Sequence, residues 1–131
     1  MNKYAFSLLG SLVAIVSARV YVALGGGLDF TIFSHVLHHF YYGVALLILA
    51  GIMKVKKVPE SVILFLTGMG LGFVCDEFDL LLSVGRAYTM QLYNAPLNLA
   101  SDVILLLALY RLSRSSPDYY HGFLPGVERS I

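Results

Sequence analysis

Charge is what this sequence has least of. Only 13% of its 131 residues are Asp, Glu, Lys or Arg, against about 25% in an ordinary soluble domain. A soluble fold of this composition would lack the polar groups needed to cover its surface. Hydrophobic residues make up 58% of the chain, and the balance implies a one-domain integral membrane protein. The net charge is +1, and no run of Lys or Arg forms a basic patch, so nucleic acid is not an expected partner. A single cysteine, Cys75, excludes an internal disulfide; inside an apolar segment it is expected to pack as a small hydrophobe. No Gly-x-Ser-x-Gly elbow is present, which leaves a serine-hydrolase triad unsupported.

What is abundant is long apolar sequence. Four runs stand out, over residues 4–24, 32–53, 61–84 and 97–112. About 20 helical residues cross a bilayer core. The first three runs reach that length, and the fourth is short enough to need a different tilt, with Tyr93 and Tyr110 as interfacial anchors. Gly25-Gly26-Gly27 ends the first helix, while Pro59-Glu60 and Pro96 suit the first turns of the third and fourth. The expected fold class is therefore all-α, a polytopic bundle of four transmembrane helices over residues 1–112 with a polar cytoplasmic tail at 113–131. Lys3, the apolar stretch and Val16-Ser17-Ala18 also fit a signal peptide, but the segment is expected to be retained as a membrane helix. Lys3, the Lys54, Lys56 and Lys57 group, and Arg111, Arg114 and Arg129 fall on one side of a four-span chain, opposite Arg86. The positive-inside rule makes that side cytoplasmic and puts both termini there.

Ionisable residues inside such segments are costly and mark candidate function. His35, His38 and His39 open the second run, and Asp76, Glu77 and Asp79 lie near the end of the third. With the spans alternating in direction, these residues, Arg19, and Asn98, Ser101 and Asp102 fall within roughly 3–12 Å of the outer helix ends at 1.5 Å rise per residue. Four helices thus converge on one polar layer. Helical spacing puts His35, His38, His39 and Tyr42 within about 100° of one helix surface. Asp76 and Asp79 share a face with Gly68 and Gly72, a small-xxx-small pair that allows close helix approach. Glu77 points about 100° away from Asp76, toward a different neighbour.

Three chemistries fit this layer. In the first, His35 and His39 chelate a transition metal ion, zinc or iron, from one helix turn, and Asp76 or Asp79 completes the site. His38, about 100° from His39, then serves a second ion, a substrate or an outer hydrogen bond. Glu77 or Asp79 is the candidate general base on a bound water, and the substrate would be a lipid or other apolar molecule. In the second, the layer is a satisfied polar network in which Arg19 neutralises Asp76 or Glu77 and Tyr42, Asn98 and Asp102 support it. One arginine then faces four carboxylates, so protons, charged histidine or a bound cation must balance them. In the third, the histidines contact haem or quinone. The second and third describe a non-catalytic accessory subunit of a larger membrane complex. A homo-oligomer is equally compatible with the sequence.

His35-x-x-His38-His39 resembles one histidine box of membrane fatty-acid desaturases and hydroxylases. Those families use several boxes facing the cytoplasm, and this chain has four histidines in all. The combination His38-His39-x-x-x-Gly43 with Gly68-x-Gly70-x-Gly72-x-x-x-Asp76-Glu77 resembles a group of small prokaryotic membrane proteins. That resemblance implies a prokaryotic plasma-membrane location and no particular activity. The glycine row lies inside a span with no strand before it, so it is expected to serve close helix packing and not a nucleotide.

Overall fold

The structure, a computed structural model, describes residues 2–24, 30–32, 35–78, 82 and 93–115, with the backbone alone for 30–32 and 35–37. Among these residues four helices form: α1 Lys3–Ala23, α2 His39–Val55, α3 Glu60–Asp76 and α4 Pro96–Ser115. One short antiparallel hairpin, β1 Phe30–Ile32 with β2 His35–Leu37, precedes α2 and pairs Ile32 with His35. Asp79, Ser83, Arg86, His121 and the tail beyond 115 lie outside the described residues.

Local chemistry sets the helix ends. The Asn2 side chain accepts the Tyr4 N–H at 3.0 Å and caps α1, satisfying one of the orphan donors of its first turn. Pro59 stands at the N-cap of α3, with Glu60 in the first turn, where a carboxylate complements the helix dipole. Pro96 opens α4, where its missing N–H costs nothing. Past the end of α2, Lys57 takes a left-handed φ of 56°. Its N–H and that of Val58 close back on Lys54 and Met53 at 3.3 Å, the bonding pattern of a Schellman turn without the usual glycine.

Contacts between elements give the topology. Along α1 and α3 one offset of 57 residues recurs: Lys3 reaches Glu60, Ser7 the Leu64 carbonyl, Ser11 the Gly68 carbonyl and Arg19 the Asp76 carboxylate. A constant offset means that these two helices run parallel, so α2, which connects them in sequence, runs antiparallel to both. The Asn2 amide donates to the Ser113 carbonyl at 2.7 Å, which ties the start of α1 to the end of α4 and makes α4 antiparallel to α1.

The interface between α1 and α3 is built from small residues. Ser7, Gly10, Ser11, Ala14 and Ala18 are buried on α1, and Gly68 and Gly72 face them from α3. A Cβ added at Gly68 would collide with the Ser7 carbonyl oxygen, and one at Gly10 with that of Phe65. Gly70 points to the other side of α3, where a Cβ would fall 2.9 Å from the Gly43 carbonyl oxygen of α2. The glycine row therefore serves two neighbours at once.

Polarity is inverted relative to a water-soluble core. Ser7, Ser11, Asp76, Glu77 and Asn98 are at most 3% exposed, while Val16, Ile48, Ile104 and Leu107 are 56–66% exposed. Among the described residues two helices, α1 and α4, are long and apolar enough to cross a membrane, and α2 is a shorter apolar helix.

Two sequence expectations are corrected here. The second run does not begin its helix at residue 32: Phe30–Ile32 and His35–Leu37 pair as strands, and α2 starts at His39. The aromatic and β-branched residues of Phe30-Thr31-Ile32 suit a strand; counting apolar residues alone could not distinguish that from a helical turn. His35 and His39 are consequently not four apart on one helix turn. The third helix, expected to continue to residue 84, ends at Asp76 with Glu77 as its cap.

Candidate functional site

The polar end of the bundle is organised around two adjacent carboxylates aimed at different helices. Asp76, in the last turn of α3, receives the Arg19 Nε–H of α1 at 2.6 Å on Oδ1 and the Tyr93 hydroxyl at 2.7 Å on Oδ2. Arg19 also donates through Nη2 to Asp102 of α4 at 3.2 Å, and its guanidinium lies 4.4 Å from the centre of the Tyr93 ring. Arg19 thus sits between three segments, paired with two carboxylates and stacked on an aromatic face. A planar guanidinium suits this arrangement, since its donors point in several fixed directions.

Tyr93, expected as an interfacial anchor, instead faces inward. It is 1% exposed, and its own carbonyl accepts the Asn98 amide at 3.1 Å. Burial first, and the Asp76 carboxylate beside it second, push the phenol upward in pKa, so it remains a neutral donor. Its position just before Pro96 was visible in the sequence; its inward direction was not. Ser101 adds a further tie, donating to the Cys75 carbonyl at 2.6 Å. That bond joins α4 to α3 and uses the Cys75 backbone, leaving the thiol free.

Glu77 faces the other way. Its Oε2 accepts the backbone N–H of Phe40 at 2.8 Å, one of the donors that the first turn of α2 cannot satisfy internally. The N-cap of α2, His38, makes no side-chain cap bond, so a carboxylate from the end of α3 caps α2 in its place. A negative charge at a helix N-terminus is also favoured by the dipole. The other oxygen, Oε1, lies 3.6 Å from His38 Nδ1 and 3.7 Å from His39 Nδ1, beyond direct hydrogen-bond distance. Glu77 is fully buried, and among the described residues Glu77 Oε1, His39 Nδ1 and Asp102 Oδ1 have no hydrogen-bond partner. The His39 ring lies among those of Tyr21, Phe73, Tyr93 and Tyr42, with centroids 6.0–6.5 Å away.

The candidate residues therefore separate into two groups. Arg19, Asp76, Asn98 and Asp102 join with Tyr93 in one. Glu77, His38, His39 and, through the ring contact, Tyr42 form the other, and the Tyr93 ring, 6.4 Å from that of His39, borders both. His35 belongs to neither helix, being in β2, and Asp79 falls outside the described residues. The Asp76 oxygens are directed to Arg19 and Tyr93, one to each. Among the described residues no group of three or more His, Cys, Asp or Glu is disposed to hold a metal ion. Among the described residues three buried carboxylates, Asp76, Glu77 and Asp102, stand against the guanidinium of Arg19. Protons on the carboxylates or imidazoles are the simplest way to balance them. No family model, curated protein or solved structure matches this chain.

Proposed function

We propose that this chain is an integral membrane protein whose four helices all span the bilayer, both termini cytoplasmic, and that it acts as a non-catalytic accessory subunit of a larger membrane complex. The inverted polarity supports membrane insertion: an apolar outer surface fits lipid, and small residues and paired polar groups fit helix association within it. Basic residues at the ends of α2 and α4 support the orientation. The observation that carries the functional reading is the engagement of both Asp76 oxygens by groups from other segments. Arg19 and Tyr93 occupy both of its oxygens, which suits a clamp holding three segments together better than a reactive centre. In prokaryotic cells the plasma membrane would be the location, with lipid and the partner subunit covering the outer faces.

A second reading keeps a metal-dependent role and is favoured by one observation, the buried Glu77 Oε1 facing His38 and His39. Zinc or iron would there recruit Glu77 and His39, in place of the expected His35 and Asp76, for chemistry on an apolar substrate.

One preparation tests both readings. Protein solubilised in mild detergent without chelators is expected to co-purify with a defined partner at fixed stoichiometry and to carry no stoichiometric metal. One zinc or iron per chain, lost in Glu77→Gln and His39→Ala, would overturn the accessory reading in favour of the second.

A further inference from the structure

Away from the polar end, a groove of about 500 Å³ opens between α2 and α3 beside their connecting turn. Its walls include Leu47 and Gly51 of α2 and Ile63 and Thr67 of α3, and its mouth carries Lys54 and Glu60. The size falls within the range of small-ligand sites, about 300–1,000 Å³. Gly51 explains why the space exists. The other α2 glycine, Gly43, meets the Gly70 backbone of α3, whereas a Cβ built on Gly51 would have nothing within 4 Å. The same pair of helices therefore touches at one level and leaves a gap two turns away.

We propose that this groove binds one acyl chain of an anionic phospholipid, with the lipid phosphate at Lys54. The proposal rests on the membrane reading above. The apolar walls suit a hydrocarbon chain, and the distance from Lys54 to Leu47, seven residues, gives the groove a depth of about 10 Å along the helix. The mouth selects the headgroup. Lys54 is in the last turn of α2, Lys56 and Lys57 follow in the turn, and Lys3 reaches the same level from α1. Among the described residues the opposing charge here is Glu60, which faces Lys3 at 3.5 Å. Among the described residues this end is therefore net basic, and basic pockets between membrane helices on the cytoplasmic side favour anionic headgroups.

The test uses the full chain in detergent, exchanged against mixed phosphatidylglycerol and phosphatidylcholine, with retained lipids counted by native mass spectrometry. The wild type is expected to hold one phosphatidylglycerol in preference to phosphatidylcholine, and inorganic phosphate should not displace it. Lys54→Gln should reduce that preference about fivefold, the effect of one basic residue near an anionic headgroup. Gly51→Leu, which fills the gap, should abolish retention, while Ile48→Leu on the exposed face of α2 should leave it unchanged. Equal retention of the two lipids by wild type, or unaltered retention in Gly51→Leu, overturns the proposal while leaving membrane insertion intact. Extraction of the chain from membranes by alkaline carbonate would defeat the membrane reading and the groove together.

Discussion

The two ends of the contact between α1 and α3 follow the same spacing and use opposite chemistry. At Ser7 and Ser11 the helices meet through glycine and hydroxyl groups donating to backbone carbonyls, both at 2.8 Å. Two turns further on, the same 57-residue offset brings a guanidinium against a carboxylate. The neutral seam is limited by steric distance: nothing larger than hydrogen fits at Gly68. The polar end is limited by charge, because Asp76 and Asp102 are buried and need Arg19 to remain so. Both fix the relation of α1 to α3, but errors in them should not cost the same. A methyl group at Gly68 would meet the Ser7 backbone, so relieving it means moving α1 as a whole, at a cost in packing but with no charge left unpaired. An orphaned charge cannot be relieved by any shift that leaves it buried.

The largest effect is therefore expected at the charged end. Arg19→Met should destabilise the protein by about 3–5 kcal/mol, the cost of removing one partner of a buried pair, measured by denaturant unfolding in mixed micelles. Adding Asp76→Asn and Asp102→Asn to Arg19→Met should recover part of the loss; no recovery would mean that Arg19 acts through packing rather than charge. At the neutral seam, Gly68→Ala should cost about 1–3 kcal/mol by overpacking against the Ser7 backbone. A loss as large as that of Arg19→Met would erase the contrast between the two ends. Ser11→Ala should be the mildest, about 0.6 kcal/mol, typical for a hydrogen bond between membrane helices.

Much of this was legible in the residues themselves. The spans that became α1 and α4, the glycine face of α3, and the divergence of Asp76 from Glu77 follow from helical period and side-chain size. The small stripe on α1, from Ser7 through Gly10, Ser11, Ala14 and Ala18, lies within an apolar run whose large residues dominate its hydropathy, so its packing role is not evident from composition. The hairpin before α2 was not legible. His35-Val36-Leu37 carries as much apolar character as the helix that follows, and composition does not reveal which backbone hydrogen bonds win.

The sequence by itself determined that apolar helices of near-membrane length would meet with their polar residues at one level, since rise per residue converts position into depth. Only the tertiary structure decided who pairs with whom. Depth carries no information about rotation and helix order, and these give Arg19 to Asp76 and Asp102, turn Tyr93 inward, and bring Glu77 to the start of α2. Those choices depend on the close approach of α1, α2 and α3 through their glycines, a distance set by the absence of side chains on facing helices.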